Sequence, residues 1–145
     1  WEESLFARTQ RLLFLREVPL FHALAVDDLH QVAAVLESRA VPAGATILKK
    51  GDPGDELLII VEGEVRIEDG MELAKLGPRQ FFGELSVIDH EPRAADAVAL
   101  TDVTLLALRA ADLDELMAHR PSIQEEILRE LARRLRVASS KVASR

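Results

Sequence analysis

Apolar residues in this chain recur at two spacings, helical toward both ends and strand-like between them. Residues 4–16 carry Leu5, Phe6, Leu12, Leu13 and Leu15 among polar neighbours, a period that predicts a helix with Ser4 as its N-cap. Pro19, in Val18-Pro19-Leu20-Phe21, ends that run because it disfavours helix at the residue before it. A second helix is predicted over 24–36, with Leu29, Val32, Ala33 and Leu36 on one side. Asp27 and Asp28 suit the dipole of its first turn, and Ala25 takes the cap position without a side-chain oxygen. Near the other end, residues 110–119 place Leu113, Leu116 and Met117 inward, and Pro121 marks a hinge. Beyond it Ile123, Ile127, Leu131, Leu135, Ala138 and Val142 recur at steps of three or four, a long final helix. Glu125 with Arg129 and Glu130 with Arg134 are i,i+4 pairs in the favourable order. Arg133, Arg134, Arg136 and Lys141 fall late in that helix, where basic residues match the dipole. They read as a solvated face rather than a nucleic-acid patch.

From Ser38 the period shortens. Residues 41–45, Val-Pro-Ala-Gly-Ala, are turn material, and 46–49 form a short strand. Lys50-Gly51-Asp52-Pro53-Gly54-Asp55 is a dense turn cluster ahead of Leu57-Leu58-Ile59-Ile60-Val61, a strand apolar on both faces and therefore central. Glu62-Gly63-Glu64 bends the chain into Val65-Arg66-Ile67, and Asp69-Gly70 is the strongest hairpin signal present. A two-residue loop would set Ile67 opposite Glu72, a poor match for one face. A loop over 69–72 pairs Ile67 with Ala74 and Val65 with Leu76, and is preferred on register grounds. Gly77-Pro78 turns again, and 103–107 form a later strand. Short strands at regular spacing with Gly/Pro turns predict a mainly β fold, an antiparallel roll or barrel with flanking helices.

The stretch 81–98, FFGELSVIDHEPRAADAV, concentrates the chemistry. Gly83 followed by one turn of helix leaves backbone N–H groups unpaired, and these favour an anion. Glycine also lets a ligand approach the backbone closely. Arg93 offers a planar fork for two phosphate oxygens, while Ala94 and Ala95 leave room and add their own N–H groups. Glu84 would repel a phosphate, yet it suits a neighbouring pair of hydroxyls. An anion beside a diol describes a sugar phosphate or nucleotide. The competing explanation is a buried Glu84–Arg93 salt bridge that closes a loop with no ligand.

Gly83-Glu84-Leu85, an apolar pair, a variable loop and then Pro92-Arg93-Ala94-Ala95 resemble the phosphate-binding cassette of cyclic nucleotide-binding domains. That family includes the regulatory subunits of cAMP-dependent protein kinase and the catabolite activator proteins. The likeness runs from about Leu20 to Val142, with its specific part at 82–95. It implies a β-roll (double-stranded β-helix, or jelly roll) over 38–108 with the cassette at 81–98, N-terminal helices over 1–37, and C-terminal helices over 109–145. The whole of 1–145 is then a single cyclic nucleotide-binding domain. By the same resemblance Arg93 takes the cyclic phosphate and Glu84 the ribose 2′-hydroxyl. Phe82, Gly83, Leu85, Ser86, Ala94 and Ala95 complete the cradle. Val61 and Val65 are candidate walls for the base, whereas Phe21 and Leu24 are expected to pack the barrel. A Thr-Ser pair that reaches adenine in the catabolite activator group corresponds here to Ala138 and Ser139, which leaves Ser139 as the candidate contact. The resemblance implies no cofactor; the ligand is cAMP, with cGMP second because Ala94 lacks the hydroxyl that cGMP-selective relatives carry there. Leu85 is expected against Leu113, Leu116 and Met117, so that ligand binding moves the last helix about 119–121. That helix also resembles a dimer helix, which adds a homodimer through it to the candidate partners and leaves the oligomeric state open.

Composition narrows the partners further. At 145 residues, 48% hydrophobic and 30% charged, the chain has the size and balance of one soluble domain. No apolar run reaches the roughly 18 residues of a spanning helix, and no secretory pattern opens the chain, so no membrane segment is expected. The absence of cysteine rules out disulfides and thiolate metal sites and fits the cytoplasm. A net charge of −7 argues against nucleic-acid binding, and a start at Trp1 suggests part of a larger parent protein. His22, His30, His90 and His119 are scattered with no His-x-His, against a cupin-type metal enzyme, and no Gly-x-Ser-x-Gly supports a serine hydrolase. The expectation is a non-enzymatic sensor. The alternative is a structural or dimerisation module of the same fold that has lost its ligand. Asp96 keeps that alternative open, since a carboxylate near a phosphate costs affinity unless it points away or is paired.

Overall fold

A computed structural model of the chain describes residues 5–143, excepting the side chains of Leu5, Phe6, Leu85, Ile88 and 138–143. The proposed Ser4 cap and the inward roles of Ala138 and Val142 lie outside the described residues. Two compact units emerge. One runs Val35–Leu113; the other gathers, of the described residues, 5–34 and 114–143.

The first unit is a β-roll of eight strands in chain order: β1 (Glu37–Val41), β2 (Thr46–Leu48), β3 (Glu56–Glu62), β4 (Val65–Glu68), β5 (Glu72–Leu76), β6 (Phe81–Phe82), β7 (Asp96–Ala99) and β8 (Val103–Arg109). They form two antiparallel sheets, ordered β1-β8-β3-β6 and β2-β7-β4-β5. The inner faces share one core. Leu58, Ile60, Phe82, Val103, Leu105 and Ala107 come from the first sheet, and Val65, Ala97 and Ala99 from the second. Burial of each large apolar side chain contributes about 1.5–3 kcal/mol. Leu57, Ile59, Leu106 and Leu108 are buried as well, so β3 and β8 are apolar on both faces, as expected of strands interior to a sheet.

The hairpin register is the expected one, Val65 opposite Leu76 and Ile67 opposite Ala74. Its loop is shorter than the predicted 69–72. Glu68 pairs with Glu72 across a register shift, so the turn is Asp69-Gly70-Met71 and Leu73 is the extra residue of a bulge. Two strands were not predicted. Glu37–Val41 is too polar to alternate visibly, and it is a strand because it lies along the edge of β8 over its whole length. It also claims Val41, which the turn reading had assigned to 41–45. Phe81–Phe82 is only two residues long and pairs with Ile59 and Leu58. The short helix that follows, α3 (Glu84–Asp89), extends the single predicted turn to six residues.

The second unit is helical: α1 (Leu5–Arg16), α2 (Val26–Val35), most of α4 (Ala110–His119) and α5 (Pro121–Ala143). Pro121 opens α5 as its first residue, where a missing N–H and fixed φ do no harm, and Arg120 alone separates α4 from α5. Ile123 and Ile127 are buried as the period requires, whereas Leu135 is 68% exposed and leaves the inward stripe. The Glu125–Arg129 pair forms at 2.8 Å, and Glu130 holds Arg133, three residues on, at 3.0 Å. Asp28 is 5% exposed, which the first-turn reading did not foresee.

Candidate functional site

The stretch 81–98 folds as β6, Gly83, α3, a loop and β7. Gly83 precedes α3 with φ +85, a left-handed backbone that glycine adopts without strain. It has a second reason to be glycine, because a Cβ there would stand 2.8 Å from Arg93 Nη1 and 3.0 Å from the Glu56 carbonyl oxygen. The helix ends at His90, also left-handed, whose N–H bonds to the Ser86 carbonyl.

Arg93 is 5% exposed, and its fork is held by carbonyls. Nη1 donates to Gly83 O at 2.9 Å and Nη2 to Glu56 O at 2.8 Å. Burial lowers the proton affinity of the guanidinium, and the carboxylates of Asp55, Glu56 and Glu84 act against that shift. The cation is thus kept in a shielded site by dipoles and nearby negative charge, an arrangement that can be redirected to a stronger acceptor. Glu84, the first residue of α3, is half-buried and close enough to Arg93 to act on it electrostatically. Ser86 is 5% exposed and packs on Gly54, where an added Cβ would lie 1.9 Å from Ser86 Cβ. Ala94 is exposed and Ala95 half-buried.

Gly83, Ser86 and Arg93 therefore converge, with Glu84 alongside. Phe82 and Val65 have their side chains in the roll core, which leaves only the main chain of Phe82 for a ligand. Val61 is half-buried at a register shift between β3 and β8. The side chains of Leu85 and Ser139 lie outside the described residues. Sequence reasoning missed the contribution of Gly54 and of the Glu56 carbonyl. The Gly-Asp-Pro-Gly-Asp turn was the available signal, but it was read only as a connection. The Asp96 carboxylate accepts a hydrogen bond from Lys50 N at 2.7 Å, so it is paired.

Elsewhere, the helical unit has a groove of about 540 Å³ lined by His22, Ala23, Glu126, Arg129, Glu130 and Arg133 among others. Its charges largely satisfy one another, Arg129 with Glu125 and Glu126 and Arg133 with Glu130. Among the described residues no group of three or more His, Cys, Asp or Glu could hold a metal ion, and no helix is long and apolar enough to cross a membrane.

Comparison with known proteins bears on the family and the fold. The family model described as "Cyclic nucleotide-binding domain" matches residues 38–120, more than half of the chain. A cyclic nucleotide-gated potassium channel from Rhizobium etli is 42% identical over 110 residues, covering 76% of this chain and 31% of the channel. A CRP-like cAMP-activated global transcriptional regulator from Mycobacterium tuberculosis is 36% identical over 135 residues, covering 89% of this chain and 60% of the regulator. Among solved structures, the N-terminal domain of a transcriptional regulator from Streptomyces coelicolor A3(2) superposes with a TM-score of 0.77 at 37% identity, over 89% of this chain and 94% of that one. The chain thus spans from about a third to three fifths of the length of these curated relatives.

Proposed function

The chain belongs to the cyclic nucleotide-binding domain family, and from that premise we propose that it is a non-catalytic cAMP sensor within a larger cytoplasmic regulatory protein. The observation that carries this reading is the buried fork of Arg93 beside left-handed Gly83 at the start of α3. A cyclic phosphate offers that fork a charged acceptor in place of two neutral carbonyls, a stronger hydrogen bond at each nitrogen. Backbone N–H groups of Gly83, Leu85, Ser86, Ala94 and Ala95 complete the cradle, and Glu84 accepts from the ribose 2′-hydroxyl. Val61, half-buried on β3, is the proposed wall for the base, since the Val65 side chain is taken up by the roll core. Ala94 has no hydroxyl to offer guanine, so cAMP is preferred to cGMP.

Output runs through the C-terminal helices. Drawing Arg93 onto a ligand frees the Glu56 carbonyl. The neighbouring Asp55 carbonyl accepts from Ala110 N, the first residue of α4, at 2.7 Å. This adjacency supports coupling of ligand binding to movement of the helices about 119–121. Leu128, Leu135 and Val137 are exposed apolar residues on α5 and suit association with a second copy.

Calorimetric titration with cAMP and cGMP tests the reading. The unaltered protein should bind cAMP more tightly than cGMP. Arg93→Ala should bind cAMP at least about a hundredfold more weakly, since two charge-assisted bonds at about 1.5–3 kcal/mol each are lost. Equal affinities of the two proteins would reject the cassette. Absence of binding to the unaltered protein would favour the ligand-free dimerisation module.

A further inference from the structure

Asp96 is the residue of the cassette that charge alone cannot explain, and its surroundings suggest a task. Its Oδ1 accepts from the backbone N–H of Lys50 at 2.7 Å. Lys50 opens the turn over 50–55 between β2 and β3, and that turn grips Arg93 by its main chain. Gly51 N donates to Arg93 O at 2.9 Å, and Arg93 N donates to Asp52 O at 2.8 Å. Further along the same turn, Gly54 packs so closely that a Cβ would stand 3.3 Å from Arg93 Cδ and overlap Ser86. Lys50 is held from its other end too, with Nζ 2.9 Å from Asp69 Oδ1.

These bonds close a ring. The chain runs from Arg93 through Ala94 and Ala95 to Asp96, crosses by the Asp96 carboxylate to Lys50, and returns from Gly51 to Arg93 O. We propose that Asp96 is a positioning residue for the ligand site: its carboxylate anchors the β2–β3 turn, and the turn fixes the backbone from which Arg93 projects. The inference rests on the cAMP reading for its ligand but on these hydrogen bonds for its geometry. It also accounts for a carboxylate so near an anion site. A carboxylate oxygen engaged by a backbone N–H costs a neighbouring anion less than a free one would, and the acceptor oxygen, not the charge, is what the turn requires.

The conservative variant separates acceptor from charge. Asp96→Asn keeps an oxygen at the same reach and should bind cAMP within about twofold of the unaltered protein. Asp96→Ala removes the acceptor and should weaken binding by about tenfold. In the ligand-free protein, hydrogen exchange at Gly51 N–H and Arg93 N–H should quicken in Asp96→Ala and stay slow in Asp96→Asn. If Asp96→Ala does not fold, Asp96→Leu keeps the side-chain volume without the acceptor and carries the same expectations. Equal loss of affinity in the Asn and Ala variants, or unchanged exchange at both amides in the variant without an acceptor, would overturn the proposal. Failure of the unaltered protein to bind cAMP would instead sink the ligand reading, and the exchange measurement would still decide the positioning role.

Discussion

At Gly54 a single methyl group would have nowhere to go, because its carbon would fall 1.9 Å from Ser86 Cβ and 2.6 Å from Ser86 Oγ. Something in the turn or in α3 would have to shift. Gly54→Ala should therefore destabilise the ligand-free protein by about 1–3 kcal/mol, the usual range for overpacking. It should also weaken cAMP binding, because Ser86 and Arg93 share the displaced contact. Urea unfolding and titration on the same sample would measure both effects; full stability with normal affinity would show that the turn yields freely. Gly83 is constrained differently, by backbone handedness as well as by the approach of Arg93. Two glycines of one site are thus required for separate reasons, and only the one inside the cassette motif stood out in the sequence.

Among the elements, the junction of α4 and α5 is the least like a free hinge. Arg120 Nη1 donates to Asp28 Oδ1 at 2.8 Å and Ser122 Oγ donates to Asp28 Oδ2 at 2.5 Å. The residues on either side of Pro121 are therefore fastened to the first turn of α2. The Ser122 hydroxyl and then Arg120 hold the Asp28 carboxyl below its ordinary value of 3.8, against the opposing effect of burial. Because folding lowers this pKa, the stabilisation is fully present above the unfolded-chain value. It is lost as the pH falls through the lower folded-state value. Asp28→Ala should cost about 1–3 kcal/mol near neutral pH. The gap between its melting temperature and that of the unaltered protein should close as the pH falls below the ordinary carboxyl value of 3.8. A gap that persists in acid would assign the effect to packing. Any swing of α5 about 119–121 has to carry α2 with it or break these two bonds.

For the whole molecule, a net charge of −7 opposes an anionic ligand at long range, so the proposed affinity for cAMP would have to come from local donors. Binding to the native state alone should raise the melting temperature. At a cAMP concentration about a hundredfold above Kd the gain is about 2.7 kcal/mol, several degrees for a chain of this size. Scanning calorimetry with cAMP and, separately, with duplex DNA should show that rise only for cAMP. A rise with DNA would contradict the reading of the basic end of α5 as a solvated helix face.

How much of this was legible beforehand follows from how local each cause is. Helix periods, the hairpin register and the order of cassette residues depend on neighbours in the chain, and Val65, Ile67, Gly83 and Arg93 could be read directly from it. Glu37–Val41 and Phe81–Phe82 are strands because β8 and β3 supply hydrogen-bonding edges, which no local pattern records. The three-residue turn with Leu73 bulged arises from a similar cause, since backbone pairing of Glu68 with Glu72 overrides the 69–72 loop that side-chain alternation favours. The buried role of Asp28 depends on Arg120, 92 residues away, and the pairing of Asp96 on Lys50, 46 residues away. By itself the sequence determined the roll, the cassette and the identity of its arginine. Only the tertiary structure decided what holds that arginine, because its partners are backbone atoms of Gly83, of Glu56 on β3 and of Gly51 and Asp52 in the turn before it, and backbone atoms carry no residue-type signal.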